Sequence, residues 1–264
     1  MSEKPIVAVL LGGRNSENYR SCLSSKDVID ALEAKGYLVK AYGMTMEANW
    51  VEFNDLASLR NSLNKENFEL TDEAIKDIKD TKTSVLPPES LLESPVVFST
   101  LMGAWASDGT VQGLLETEIV RFVGSDTLGA AISTDKPTSK LLMQSVQIPT
   151  PALSIINDKN WRRDPLSCVA RANALKMPVV VKPARGSNGV GITFTRVPRD
   201  WKKNIEIARN FDGRVIVEKY HEPKHLIECN IIEDEKRKTI TSEIIETKLD
   251  KSEKIFNFIA RNDK

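Results

Sequence analysis

Apolar residues recur along this chain in short continuous runs, each closed by glycine, proline or charge. The first, Ile6 to Leu11 (IVAVLL), ends at Gly12-Gly13 and offers no polar position on either face, which predicts a central parallel strand buried on both sides. Helical spacing follows. Val28, Ile29 and Leu32 predict a helix from Ser24 or Ser25 to Lys35, with Gly36 as the left-handed residue after the last turn. Tyr37 to Tyr42 reads as a second strand. A strand, glycine loop, helix, strand unit sets the loop at the carboxyl edge of an open α/β sheet, where ligands bind. The loop, GGRNSEN, carries Glu17 and lacks the third glycine of a dinucleotide fingerprint, which sets a dehydrogenase aside.

Residues 55 to 94 lose this pattern. Mixed lysines and acids and the Pro87-Pro88 stop predict a solvated helix and loop insert. The core signal returns at Pro95 to Leu101, followed by a turn at Asp108-Gly109, a short helix burying Val111, Leu114 and Leu115, a strand from Ile119 to Val123, and the turn Gly124-Ser125-Asp126. Thr134 or Asp135 as N-cap, with Pro137 in the first turn, predicts a helix ending near Val146. Pro149 and Pro151 then form an extended connector.

Beyond it the pattern predicts strand Ala152 to Ile156, helix Asp164 to Lys176, strand Val179 to Val181, strand Gly191 to Val197, helix Asp200 to Arg209 and strand Arg214 to Glu218. The hairpin across the glycine loop implies a mostly antiparallel sheet backed by helices on one side. CNIIEDEKRKTITSEIIET adds two strands around a charged turn at Glu233 to Lys238. The fold class is α/β. The expected domains are an N-terminal α/β domain with a parallel sheet over 1–126, a central subdomain over 127–215, and the start of a third part over 216–264.

Charge narrows the partners. Lys plus Arg and Asp plus Glu balance at 37 each, so no global basic field calls for nucleic acid or an anionic membrane, and any anion site must be local. The apolar run near the N-terminus is too short for a signal core or a membrane span, and a cytoplasmic protein is expected. Cys22, Cys168 and Cys229 show no CxxC spacing and read as reduced core residues, not as a disulfide or zinc framework. Trp105 and Trp161 read as core or interface aromatics. His221 and His225 receive no catalytic role.

The candidate chemistry centres on VVVKPARGSNGVG, Val179 to Gly191. Glycines let the backbone approach an anion and turn its N–H groups inward, and Lys182 adds a fixed positive charge. The stretch alone fits two structures equally, a phosphate-covering loop or a β-hairpin turn beside a surface lysine.

The order of features resembles the ATP-grasp ligases, specifically the D-alanine:D-alanine ligase family. It does so through VAVLLGGRNSEN, TLMGAWASDGTVQGLLE, FVGSDTLGAAISTDKPTSKLLMQSVQIPTP, VVVKPARGSNGVGI, VIVEKY and IECNI. The resemblance implies an ATP-grasp domain that is incomplete at its C-terminal end. It implies a reaction in which ATP phosphorylates the carboxylate of one D-alanine and the amine of a second attacks the acyl phosphate, in peptidoglycan precursor synthesis. Such transfer rests on positive charge and oriented donors around oxygens that gain charge. By resemblance Lys136 and Lys182 contact ATP phosphates, the loop Gly186 to Gly189 with Ser187 and Asn188 covers them, Glu218 and Lys219 match the adenine-side hinge, and Glu17 holds the ammonium of the first amino acid. Glu17 also fits a turn or cap acid, and Lys136 a solvated first-turn lysine.

Departures accompany the match. Met102 stands where the family usually has histidine, Ala106 where it has glycine, and Ser107 where it has glutamate. The loop is shifted by one residue, so either Ser187 or Asn188 takes the serine's role, and the ribose-binding glutamate falls at His225 and Leu226. No residues match the family's Mg²⁺ ligands or its transition-state arginine, so the chain as given is expected to be inactive in phosphoryl transfer. Three functions stay open: a D-alanine:D-alanine ligase, a noncatalytic ATP-grasp-like module that binds nucleotide or a partner, and a ligase for another amino or hydroxy acid. Exposed sheet edges make a homodimer a further expectation.

Overall fold

In a computed structural model, residues 4–222, 225–234, 236 and 238–247 are described. They divide into two compact units, Met1–Ser139 and Lys140–Lys264.

The first unit is built on β1 (Ile6–Gly12), whose residues Val7 to Leu11 are buried. Strand β1 pairs in parallel with β2 (Leu38–Met44) on one side. Helix α1 (Asn18–Ala34) connects them and ends as expected, with Gly36 at φ +88°. It begins at Asn18, six residues before the predicted start, because the polar turns Ser21 and Ser25 are buried against the sheet and hide the apolar face. The segment read as a solvated insert is corrected. After β3 (Trp50–Phe53), which the pattern did not predict, it supplies α2 (Leu56–Leu63), β4 (Thr81–Ser84) and α3 (Glu89–Leu92), and it buries Leu59, Leu63, Phe68, Leu70, Ile75 and Ile78. Those apolar residues are spread singly among charges, and only tertiary packing joins them.

On the other side of β1 lies parallel β5 (Val97–Ser99), then α4 (Thr110–Thr117) and parallel β6 (Phe122–Val123). The sheet order is β4-β3-β2-β1-β5-β6, parallel at its centre with β3 and β4 antiparallel at one edge. Helix α5 (Thr127–Thr134) leads to α6 (Lys136–Ser145), and the chain divides into units inside α6, after Ser139. The cap of α6 is Asp135, whose Oδ1 accepts from Thr138 N at 2.9 Å.

The second unit carries β7 (Leu153–Ile156), α7 (Asp158–Arg163), α8 (Pro165–Asn173), β8 (Val179–Pro183), β9 (Thr193–Thr195), α9 (Trp201–Arg209) and β10 (Val215–Lys219). Its sheet runs β7-β10-β8-β9 and is antiparallel throughout, as the pattern predicts. The predicted helix from Asp164 to Lys176 is α8, capped by Asp164, whose carboxylate accepts from Ser167 N at 3.0 Å, and the short α7 ahead of it is an addition that the pattern did not predict. One face of the sheet packs Val179, Val181, Val215 and Val217 against Cys168, Ala172, Ile205 and Ala208.

Farther on, β11 (Leu226–Glu228) pairs with β14 (Ile245–Thr247) and β12 (Ile231–Glu233) with β13 (Thr239–Thr241) as antiparallel ribbons. Cys22 and Cys168 are buried thiols, but Cys229 is exposed, which corrects its reading as a core residue. Trp161 is buried. Trp105 is exposed and lies under the Arg14 guanidinium, 4.9 Å from its ring centre. Among the described residues no helix is long and apolar enough to cross a membrane.

Candidate functional site

The predicted site residues fall in both units. In the first, Gly12 at φ +90° and Gly13 at φ +113° turn the chain out of β1. Residue 12 tolerates no side chain, since a Cβ there would stand 2.3 Å from the Met44 carbonyl oxygen. Asn18, which the sequence reading left unassigned, fixes this turn. Its Nδ2 donates to Gly13 O at 2.7 Å and to Leu70 O at 3.1 Å, while its Oδ1 accepts from Leu70 N at 2.6 Å. Asn15 Nδ2 donates to the carbonyls of Met102 at 2.8 Å and Ala104 at 2.6 Å, so the two loops that differ from or match the family meet through one amide. Glu17 is buried just ahead of α1 and makes no side-chain cap bond. Ser107 ties its own loop, its Oγ accepting from Gly103 N at 3.0 Å. Lys136 opens α6.

In the second unit the sheet has a polar face. Cross-strand pairing puts Lys182 opposite Ile216 and Val180 opposite Glu218, on the side away from the packed valines. Glu218 is almost fully buried there. Lys182 Nζ donates to its Oε2 at 2.6 Å, and Lys140 Nζ lies 3.0 Å from Oε1 as an ion pair outside hydrogen-bond alignment. Burial pushes the Glu218 carboxyl up, yet the ammonium groups of Lys182 and then Lys140 outweigh it and hold the group below its ordinary 4.5. Two ammonium groups around one carboxylate leave surplus positive charge. Lys140 is the member that sequence reasoning missed; its only signal is its place one helical turn after Lys136.

Lys182 is followed by the loop that holds Gly186 (φ +151°), Ser187, Asn188 (φ +51°) and Gly189 (φ +76°). Three positive-φ residues in four keep this backbone tightly turned and free of bulky side chains, which lets it approach an anion closely. Val190 N donates to Ser187 O and Ile192 N to Gly189 O, both at 3.2 Å, so the loop is a pair of tight turns. Lys219 points elsewhere, its Nζ donating to the carbonyls of Lys176 at 2.6 Å and Met177 at 3.1 Å. Beyond it, Met177, Pro178, Phe194, Arg196, Tyr220 and Glu222 line a cavity of about 410 Å³. Phe194 and Tyr220 meet edge to face there, with ring centres 4.7 Å apart. Its volume falls within the usual range of small-molecule sites, about 300–1,000 Å³. His225 is exposed and paired to Glu246 at 2.7 Å. Among the described residues no three metal-ligating side chains come together.

The family model for the D-ala D-ala ligase N-terminus matches residues 6–125, and that for the D-ala D-ala ligase C-terminus matches residues 142–263. The D-alanine–D-alanine ligase of Kineococcus radiotolerans is 34% identical over 251 residues, which cover 88% of this chain and 64% of that protein. The D-alanine–D-alanine ligase of Streptococcus pyogenes serotype M49 is 30% identical over 250 residues, covering 93% of this chain and 68% of that one. The chain thus spans about two thirds of the length of the curated relatives it matches, and slightly less of the first.

A D-Ala:D-Ser ligase structure from Enterococcus faecalis shares the fold with a TM-score of 0.77 at 22% identity, over 97% of this chain and 72% of that one. A D-alanine–D-alanine ligase structure from Coxiella burnetii does so with a TM-score of 0.75 at 19% identity, over 92% and 71%. Both family models, lying end to end along the sequence, and the Streptococcus relative lead to one statement: the chain belongs to the D-alanine–D-alanine ligase family.

Proposed function

We propose that this chain binds ATP on the polar face of the second unit's sheet and serves the ATP-dependent ligation of two D-alanines for peptidoglycan precursors, in the cytoplasm. The observation that carries the reading is the buried Glu218 held between Lys182 and Lys140, one strand away from the glycine loop. Surplus positive charge beside a glycine loop that lets the backbone come close favours phosphate oxygens, and charge stabilisation is what phosphoryl transfer needs. The Phe194–Tyr220 cavity suits a planar base.

Each predicted residue takes a role in this reading. Lys182, with Gly186, Ser187, Asn188 and Gly189, would hold phosphates; Glu218 and Lys219 would flank the base; Lys136 would add charge; Glu17 would take an amino-acid ammonium. In the reaction a D-alanine carboxylate oxygen bonds to the γ-phosphorus as the bond to ADP breaks. The amine of the second D-alanine then bonds to the acyl carbon, releasing phosphate and a proton. Mg²⁺ is proposed to travel with ATP. The described residues supply no metal-ligand set, so none of them is assigned to it and no step rests on it. The division at about residues 126 and 215 is proposed to separate substrate, central and C-terminal parts. Ile231, Ile232 and Ile240 lie exposed on the ribbons, which favours self-association, to be read by sedimentation.

Met102 favours a second reading, ligation of another amino or hydroxy acid, since a thioether offers neither charge nor a donor where the family usually has histidine. The test is ATP titration calorimetry for the chain and Lys182→Ala, alongside ADP release with Mg²⁺ and a panel of D-amino and D-hydroxy acids from a form extended to the length of the relatives. ATP binding that Lys182→Ala loses, with D-alanine-dependent ADP release, is the expected result. Binding without turnover on any acid would replace the ligase with a noncatalytic nucleotide-binding module. Absence of binding would overturn the site.

A further inference from the structure

Both ends of the glycine loop are fastened to a single turn, Phe211 to Arg214. At the start, Asp212 Oδ2 accepts from Arg185 N at 3.0 Å and from Arg185 Nε at 2.9 Å, and its Oδ1 accepts from Arg214 N at 3.0 Å. Ala184 N donates to Arg214 O at 2.8 Å, so two consecutive residues before the loop are held by this turn. At the far end, Gly191 (φ +73°) passes between two rings. A Cβ there would stand 2.6 Å from Phe211 Cδ2 and 2.8 Å from Pro183 Cγ. Residues 186–190 are therefore the span between two anchor points on one turn.

Phe211 is more than half exposed, so its ring contributes little to the core and its tight contact is with the loop. Asp212 is 8% exposed, and the four hydrogen bonds it accepts, the last from Arg185 Nη2 to Oδ1 at 3.5 Å, come from the residue that leads into the loop and from its own turn. Burial pushes its carboxyl up, but the Arg185 guanidinium and the two backbone N–H groups prevail and keep it below its ordinary 3.8. It stays ionised at neutral pH. None of these contacts touches Lys182 or Glu218, so the turn is a device separate from the charge cluster.

We propose that Asp212 is a positioning residue for nucleotide: it fixes the takeoff of the glycine loop through Arg185, while Phe211 fixes its return at Gly191, and together they set where the loop's N–H groups stand relative to Lys182. A short loop held at both ends loses little conformational entropy when it closes on an anion, and a misplaced donor set forfeits most of its effect. The inference rests on the nucleotide reading above, and its test separates the two.

The variant is Asp212→Asn, which keeps the shape and removes the charge. Two measurements are made on the full chain: amide hydrogen exchange of residues 185–191 without ligand, and titration with ATP and, separately, adenosine. Loop exchange and ATP dissociation should each rise by about tenfold or more, the effect of losing a hydrogen bond to a charged group, with β10 exchange and adenosine affinity unchanged. A merely structural role would weaken both ligands alike. Unchanged loop exchange, or equal loss of ATP and adenosine, overturns the proposal. If the parent chain binds neither ligand, the nucleotide reading falls, and the exchange arm still decides the anchor. Should Asp212→Asn melt globally, Arg185→Ala gives the same test, since its backbone N–H still reaches Asp212 and the expected exchange change is smaller.

Discussion

In β1, Val9 and Leu11 belong to one hydrophobic cluster and Ala8 and Leu10 to another, so both faces of the strand are closed by apolar packing. In β8, Val179 and Val181 belong to a cluster while Lys182 turns to the opposite side, where it meets Glu218 beside Lys140. The difference is one of layers. A strand covered on both faces offers no place for an ionised group, because burial penalises charge unless a partner is at hand. A sheet with helices on one side keeps its second face for charge, and there an ion pair can be held close to a glycine loop.

The sharpest way to break this comparison is a cavity in the doubly covered strand. Leu11→Ala should destabilise the first unit by about 2–5 kcal/mol, because Leu11 is fully buried among Cys22, Ile29 and Leu59 and its neighbours are rigidly packed. Denaturant unfolding followed by fluorescence reads it. A loss of less than about 1 kcal/mol would mean that the cluster collapses around the gap and that double coverage confers no special rigidity.

A smaller effect is expected at the charged face. Lys182→Met leaves Glu218 with Lys140 alone. The cost should be on the order of 1–2 kcal/mol at pH 7, below the ~3–5 kcal/mol typical of a fully buried pair, because Lys182 is partly exposed and one cation remains. The sign with pH follows from the lowered Glu218 carboxyl. Its contribution is fully present above the ordinary 4.5 and is lost as pH falls through the depressed folded value. Removing Lys182 raises that folded value, so the difference between parent and variant should vanish in acid. Urea midpoints from pH 7 down to about pH 2, through the depressed folded value, test this, and a difference that grows on acidification would contradict the pairing.

The same contrast explains what could be read from residues alone. β1, β8 and β10 were legible because unbroken apolar runs report burial directly, and the glycine loop was legible because φ > 0 needs glycine or asparagine. The segment from Trp50 to Ile78 was not. Its buried residues Phe68, Leu70, Ile75 and Ile78 stand among charges with no period, and they are core only because β3 and β4 extend the sheet. At the candidate site, Lys182 and Glu218 were legible as residue types at strand ends. Lys140, Asn18 and Asp212 were not, since a lysine on a polar helix, an asparagine after a turn and an aspartate before a glycine are each common in solvated positions. Their roles arise from partners 78, 52 and 27 residues away in sequence.

The smallest expected effect isolates backbone from packing. Gly36 ends α1 at φ +88°, and a Cβ there would meet nothing within 4 Å. Gly36→Ala should therefore cost only the left-handed penalty, about 1–2 kcal/mol, less whatever entropy alanine removes from the unfolded chain, about 0.4–1 kcal/mol. Gly191 shares the positive φ but adds contacts at 2.6 Å and 2.8 Å. Gly191→Ala should cost more than Gly36→Ala in thermal unfolding, and only Gly191→Ala should speed amide exchange across residues 185–191. Equal costs would mean that Phe211 swings aside without resistance, which would leave the loop's return unanchored and Asp212 as the sole fixed point.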